Sequence, residues 1–229
     1  MCIRDSFITG TEPANHGITV GNRYKNPLLN WVQVNLWRPL GLTGKTGIGN
    51  LLRKWFRYDT CTKEDIEVPT IFDLIDNSVA INIPSFNESE SNKRLRELCA
   101  GYLDGTVDRD KLEFFLEANY NETMSSFFDA ISRDPPLVMV HIFPLDIVGH
   151  SFYDDEETIE RWYRRVDADV GKIKKMYPKR WCLIVSDHGL LNGKHTNYAF
   201  YSSNIPIGLK EPRLTDFKKI ILKVIKNAK

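Results

Sequence analysis

Three histidines and two aspartates in the C-terminal half of the chain could together bind divalent metal ions. Asp146 and His150 stand four residues apart, Asp187 and His188 are adjacent, and His195 follows seven residues later. Neutral imidazole and carboxylate groups suit Zn²⁺, and also Mn²⁺ or Fe²⁺. A catalytic zinc ion takes about three protein ligands, so five such groups supply most of a site for two ions. Two cations about 3.5–4 Å apart can clamp the attacking and leaving oxygens of a phosphoryl transfer.

Two predicted strands would deliver these side chains to one place. Residues 137–143 and 181–185 are short apolar runs that contain β-branched residues, which is typical of strands buried in a sheet. The five candidates follow the C-terminal ends of these runs, where ligands bind in open α/β sheets. A structural role, such as capping a turn, would be the simpler interpretation for any one of them. The presence of all five near two strand ends favours a site.

An amphipathic helix is predicted between these two strands. Apolar residues recur at three- and four-residue steps from Ile159 to Met176, the spacing of one helix face. Asp154, with Glu157 three residues later, forms a candidate capping box, and Pro178 would end the helix. A strand, a helix and a strand in this order predict a right-handed βαβ unit in a largely parallel sheet.

Further elements are predicted around this unit. Residues 79–83 form a third apolar run, whereas residues 91–102, 109–132 and 217–225 favour helices. The lysines of the last segment are interpreted as a solvated face.

The segment 28–58 has a different character, with three tryptophans among glycine and proline residues. It predicts a long connection or a small cap. Within it, Gly44-Lys45-Thr46 resembles the end of a phosphate-binding loop, but Pro39 stands where that pattern requires glycine. We therefore favour a glycine-rich turn there.

The composition is that of an ordinary globular chain. Of 229 residues, 42% are hydrophobic and 27% are charged, a length that suits one domain or part of a larger one. The 31 Lys and Arg residues nearly balance the 30 Asp and Glu residues, which excludes a general attraction for nucleic acid or anionic membranes. No apolar run reaches the ~18 residues of a membrane span. The four cysteines form no CxxC pair, which favours a reducing compartment, and we predict a cytoplasmic protein.

Four motifs occur in a fixed order along the chain. They are TGTEPANHGI at 9–18, LDIVGH at 145–150, SDHG at 186–189 and HTNYAFYSSN at 195–204. Together they resemble the alkaline phosphatase superfamily, and within it the type I phosphodiesterase/nucleotide pyrophosphatase branch in a short archaeal-type form. SDHG alone would be a weak signal, whereas the four motifs in this order are specific.

The resemblance implies a fold, an activity and a distribution of roles. The fold class would be α/β, an alkaline-phosphatase-like three-layer α/β/α sandwich with a largely parallel central sheet. The protein would be a hydrolase of phosphodiesters, nucleotide pyrophosphates or phosphomonoesters, with two divalent metal ions as cofactors and Zn²⁺ favoured over Mn²⁺ or Fe²⁺. Asp146, His150 and His195 would hold one ion, and Asp187 and His188 would contribute to the other. The substrate would be a small phosphate ester or a nucleotide, with no nucleic-acid or membrane partner.

The resemblance also implies a Ser or Thr nucleophile and a further Asp ligand upstream of the first motif. Asp5 and Ser6 are the right residue types, but they lie too close to Thr9 for the family's spacing. We assign no catalytic nucleophile and expect it upstream of Phe7. His16 is predicted to close a turn and not to bind a metal.

The N-terminal hexapeptide MCIRDS is interpreted as a non-native junction, with a genuine short N-terminus as the alternative. Residues 7–229 would then form a single catalytic domain that lacks its first strand, one metal ligand and its nucleophile, with 28–58 as a cap-like connection.

Two alternative functions stay open at this point. The chain could be a catalytically incomplete metal-binding fragment, or a related hydrolase of phosphonate or sulfate esters. A sulfatase would need a Cys/Ser-x-Pro-x-Arg motif, which is absent from this sequence. A metal-dependent phosphoglycerate mutase would need a longer chain with an inserted domain.

Overall fold

The computed structural model describes residues 3–18, 22–24, 26–37 and 58–227, and the chain divides into two compact units. The first unit comprises Met1–Asp76, Ile83–Asn87 and Arg213–Lys229, and the second comprises Asn77–Asn82 and Glu88–Pro212. All five candidate metal ligands belong to the second unit. The Gly44-Lys45-Thr46 stretch and much of the predicted cap lie outside the described residues.

The described elements are helices and short strands. The helices are α1 (Ile3–Thr9), α2 (Pro13–His16), α3 (Pro27–Val32), α4 (Ile71–Leu74), α5 (Glu90–Leu103), α6 (Arg109–Ser132), α7 (Pro144–Ser151), α8 (Glu156–Met176) and α9 (Phe217–Asn227). The strands are β1 (Asn22–Tyr24), β2 (Tyr58–Thr60), β3 (Val79–Ile81), β4 (Val138–Val140), β5 (Leu183–Val185), β6 (Leu190–Leu191), β7 (Lys194–His195) and β8 (Tyr201–Ser203). A π-helical turn, Gln33–Trp37, follows α3, and 3₁₀ turns cover Lys63–Asp65 and Leu214–Asp216.

The predicted elements are confirmed, with one error at a helix start. The three apolar runs contain β3, β4 and β5, and the four predicted helices correspond to α5, α6, α8 and α9. The prediction that Asp154 caps α8 is wrong, because the N-cap is Asp155. Its Oδ1 accepts a hydrogen bond of 3.0 Å from the backbone N–H of Thr158, and Arg109 holds its Oδ2 at 2.7 Å. The carboxylate of Asp154, one residue earlier, is not at the N-cap position.

The strand pairing differs from the predicted βαβ unit. β3 and β4 pair in parallel, with α5 and α6 in the crossover between them. The other pairs of the described residues, β1–β2, β5–β8 and β6–β7, are antiparallel. β5 therefore pairs with β8 and not with β4 in the described part of the chain. The parallel component is confirmed for one strand pair, while the three-layer sandwich and the larger parallel sheet stay predictions.

The core of the second unit anchors the helix that carries two candidate ligands. Trp162 of α8 and Tyr120 of α6 are each 1% exposed, and their rings meet edge to face with centroids 5.7 Å apart. Val148 of α7 belongs to the same apolar cluster and is fully buried. Burial of a Val or Leu side chain stabilises a fold by roughly 1.5–3 kcal/mol. The cluster therefore fixes one face of α7 and leaves its other face for polar groups.

The first unit is built around α1 and α9. Phe7 stacks on Phe217 with ring centroids 5.4 Å apart, and Lys218 Nζ donates to the carbonyl oxygens of Thr9 at 3.0 Å and Pro69 at 2.6 Å. The interpretation of residues 1–6 as a junction stays a prediction. Among the described residues, no helix combines the length and apolar character needed to cross a bilayer.

Candidate metal centre

Helix α7 places Asp146 and His150 on one face. The two residues are separated by four positions within Pro144–Ser151, and such pairs are neighbours on a helix surface. Pro144 lies in the first turn, where its missing N–H costs no intrahelical hydrogen bond. The buried side chains of Ile147 and Val148 hold the opposite face against the core.

A β-hairpin with a two-residue turn brings His195 close to Asp146 and His150. β6 and β7 pair in antiparallel fashion, with Leu190 opposite His195. Asn192 and Gly193 form the turn with φ values of 49° and 70°. Positive φ at both central residues defines a type I′ turn, which matches the twist of the flanking strands. His188 arrives separately, three residues after the end of β5.

Three imidazole nitrogens converge on one carboxylate oxygen. Oδ1 of Asp146 lies 3.4 Å from Nε2 of His150, and 3.6 Å from Nε2 of both His188 and His195. This oxygen is buried and accepts no hydrogen bond from the described residues. Bonds of about 2.0–2.1 Å from a tetrahedral ion would place its ligand atoms about 3.3–3.4 Å apart. The three distances from Oδ1 of Asp146 to the imidazole nitrogens therefore suit a divalent cation.

The histidine rings are crowded against one another. The rings of His188 and His195 stack with centroids 3.6 Å apart, and one ligand atom each from Asp146, His188 and His195 lies within 4.8 Å of the others. Partial burial of the ring lowers the pKa of His195, and electrostatic repulsion from the neighbouring His188 lowers it further. Both influences favour neutral imidazole, which is the form that binds metals.

One protein family has a sequence pattern that covers most of this chain. The model of the type I phosphodiesterase / nucleotide pyrophosphatase family matches residues 4–206. The chain belongs to this family. All four motifs lie inside the match, so the predicted family is confirmed. The chain has no significant match among curated proteins or among solved structures.

This type I phosphodiesterase family is a hydrolase family whose members typically depend on divalent metal ions. The observed cluster joins residues that the resemblance had divided between two ions, since His188 lies as close to Asp146 as His195 does. Oδ1 of Asp187, the fifth predicted ligand, lies 3.6 Å from Nε2 of His188. The five residues are therefore neighbours, while their roles as ligands and their division between two ions stay predictions.

Backbone carbonyls that the sequence reasoning missed also contact the cluster. The carbonyl oxygen of Gly193 lies 2.8 Å from Nδ1 of His150, and that of Gly189 lies 3.2 Å from Nδ1 of His188. The Asn192-Gly193 dipeptide favours a two-residue hairpin turn and could have revealed the first of these contacts.

The hydroxyl groups near the N-terminus belong to the first unit. Ser6 Oγ lies 3.2 Å from Nε2 of the fully buried His16, and Thr9 Oγ1 donates to the backbone oxygen of Asp5 at 2.6 Å. Nδ1 of His16 accepts from the backbone N–H of Ile18 at 3.3 Å, and burial lowers the pKa of this histidine. These contacts agree with a turn-closing role for His16.

Proposed function

We propose that this chain hydrolyses phosphoric esters with the aid of two divalent metal ions. Its ligands are Asp146, His150, Asp187, His188 and His195, and Zn²⁺ is favoured over Mn²⁺ or Fe²⁺. The substrates are small phosphodiesters, nucleotide pyrophosphates or phosphomonoesters. The family membership supports the class of reaction, and the chemistry of the cluster supports the dependence on metals.

One observation carries the proposal: the buried Oδ1 of Asp146 faces three imidazole nitrogens without accepting a hydrogen bond from the described residues. A buried acceptor left without a partner costs about 1–3 kcal/mol, and more when it is charged. A cation among these four groups would compensate that cost. The donor set of imidazole and carboxylate is also the one that Zn²⁺, Mn²⁺ and Fe²⁺ accept.

The charge of the cluster suits an anionic substrate. Two aspartates contribute two negative charges, the neutral histidines contribute none, and two divalent ions would leave a surplus of two positive charges. When bound, these ions would polarise phosphoryl oxygens and make hydroxide available near neutral pH. Helix α7 and the β6–β7 hairpin would hold the ligands in place.

The nucleophile is proposed to be a Ser or Thr hydroxyl that lies upstream of Phe7, and we assign it to no residue of this chain. Its oxygen would form a bond to phosphorus as the bond to the leaving oxygen breaks, giving a covalent phospho-enzyme that water then hydrolyses. We do not assign this role to Ser6 or Thr9, because both side chains are buried and each hydroxyl already has a partner.

A direct test is the hydrolysis of an aryl phosphodiester and an aryl phosphomonoester after removal and re-addition of Zn²⁺ or Mn²⁺. We expect turnover only with metal, and a loss of about a hundredfold or more in Asp146→Asn and His188→Ala, since even residues behind the ligands change activity by about 10–100-fold. Asp129→Asn is a matched control on an exposed part of α6. Full turnover in the presence of chelator, or in both site variants, would contradict the proposal.

A second candidate is a metal-binding protein without turnover. The hydroxyls of Ser6 and Thr9 favour it, because both already make hydrogen bonds. We therefore assign no nucleophile among the described residues. In that case the wild-type chain would bind one ion firmly and a second weakly, yet hydrolyse neither ester. Measuring metal stoichiometry beside turnover separates the two candidates.

A further inference from the structure

The contact between His150 and Gly193 determines which ring nitrogen of His150 carries hydrogen. The carbonyl oxygen of Gly193 lies 2.8 Å from Nδ1 of His150. A carbonyl oxygen only accepts hydrogen bonds, so Nδ1 must be the donor. In a neutral imidazole the lone pair then lies on Nε2, the atom 3.4 Å from the buried oxygen of Asp146.

The turn that supplies this carbonyl also sets the position of His195. Asn192 and Gly193 are the two central residues of the β6–β7 hairpin, and β7 ends at His195. Both adopt positive φ, which glycine accepts readily and asparagine accepts better than most residues. A change in this turn would therefore displace both the Gly193 carbonyl that faces His150 and the strand β7 that carries His195.

Close packing fixes the hairpin against the segment that carries His150. A Cβ atom added at Gly193 would lie 2.9 Å from Cδ1 of Tyr153, and one added at Gly149 would clash with Cδ1 of Leu190. The ring of Tyr153 thus packs directly against the backbone of Gly193, and the side chain of Leu190 packs against the backbone of Gly149. Two glycines permit the short distance between α7 and the hairpin that the histidine–carbonyl contact requires.

We propose that Gly193 is a positioning residue of the metal centre: its carbonyl holds His150 in the Nδ1–H form with Nε2 directed at the metal, and thereby sets the metal affinity. The proposal rests on the proposed function, since it takes His150 as a ligand. A partner that binds the other ring nitrogen of a ligating histidine fixes both its tautomer and its orientation.

The tautomer can be measured in the metal-free wild-type protein. Nitrogen-15 NMR of the neutral imidazoles distinguishes Nδ1–H from Nε2–H. A spectrum of His150→Gln identifies the signals of His150. We expect the Nδ1–H form for this residue, and a predominant Nε2–H form in the wild type would overturn the proposal.

Metal affinity gives the second measurement, with Zn²⁺ competed against a chromophoric chelator. Gly193→Ala introduces a side chain at positive φ and against Tyr153, and should weaken Zn²⁺ binding about 10–100-fold. The double variant Gly193→Ala/Tyr153→Ala removes the ring and should stay weak, because the backbone conformation is still disfavoured. Asn192→Gly is the matched control, since a Gly-Gly turn keeps the type I′ geometry, and it should bind as the wild type does.

The outcomes distinguish this proposal from the one on which it rests. Wild-type protein that binds no Zn²⁺ would overturn the proposed function and this inference with it. Firm Zn²⁺ binding that is unchanged in a folded Gly193→Ala would overturn the positioning role alone. Weaker binding in Gly193→Ala, together with a loss of the Nδ1–H form, would support it.

Discussion

The Nε2 atoms of His150 and His195 lie 2.9 Å apart, although the residues are separated by 45 positions in the sequence. Two imidazole lone pairs at this distance repel each other unless a proton or a cation lies between them. Since Nδ1 of His150 faces a carbonyl oxygen, a shared proton in the metal-free protein belongs on Nε2 of His195. A metal ion would replace that proton.

Removal of either histidine should therefore weaken metal binding to a similar degree. We expect His150→Ala and His195→Ala each to lower Zn²⁺ affinity by about a hundredfold or more, since loss of even a hydrogen-bond partner of a metal ligand lowers affinity by about 10–100-fold. Lys194→Ala changes the exposed neighbour of His195 and serves as the control. Isothermal titration calorimetry measures all three, and an unchanged affinity in both histidine variants would contradict the arrangement.

Substitution of Asp146 should affect the metal-free and metal-bound proteins in opposite directions. Asp146→Asn removes a carboxylate charge whose buried oxygen Oδ1 accepts no hydrogen bond from the described residues, so the metal-free variant should be as stable as the wild type or more stable. The wild type should gain about 2.7 kcal/mol when the free metal concentration is 100 times the Kd, and the variant should lose this gain. Thermal unfolding with and without Zn²⁺ measures both effects, and an equal gain in the two proteins would argue against ligation by Asp146.

The packing of Trp162 against Tyr120 predicts a large stability effect. Trp162→Ala should lower the free energy of unfolding by about 3–5 kcal/mol, because it removes a fully buried aromatic side chain. Trp162→Phe keeps most of the edge-to-face contact and should cost less. Urea denaturation measures the two variants, and equal losses would show that the ring contact contributes little.

The start of α8 predicts a pH-dependent difference between neighbouring aspartates. The backbone N–H of Thr158 and the guanidinium of Arg109 lower the pKa of Asp155 to about 2. Its contribution to stability should therefore be present above pH ~4, the ordinary Asp value, and disappear as the pH falls towards 2. Asp155→Ala should be less stable than the wild type at pH 7 and approach it at pH 2–3.

Asp154→Ala is the matched control for this prediction, because Asp154 is not the N-cap. It should stay within about 0.5 kcal/mol of the wild type, as is usual for surface substitutions. If Asp154→Ala lost more stability than Asp155→Ala, the assignment of the cap would be wrong.

The sequence predicted the long elements well because their signals are local. Helix α8 repeats its apolar residues from Ile159 to Met176, and the strand runs are bounded by polar residues and prolines. Helix α7 was missed, since its eight residues include Gly149 and β-branched Ile147 and Val148, which have low helix propensity. It forms because those apolar residues are buried in the core, which is a tertiary effect.

Pairing between distant strands was the other failure. The β5–β8 pair depends on contacts across about 20 residues, including a hydrogen bond of 2.7 Å from Trp181 Nε1 to Ser203 Oγ. No periodicity in either segment encodes such a partner. The candidate ligands were identifiable because their residue types are distinctive, whereas the clustering of His188 with Asp146 and His195 required coordinates.

The stacking of Phe7 on Phe217 has a consequence for the rate at which the chain can fold. The first unit takes its packing from both ends of the sequence, and the hydrogen bond from Lys218 to the carbonyl of Thr9 spans 209 residues. The second unit is complete by Pro212, before α9 has been synthesised. The contacts between α1 and α9 therefore join residues far apart in sequence, and such contacts slow folding because closing a long loop costs entropy before the contact stabilises the fold.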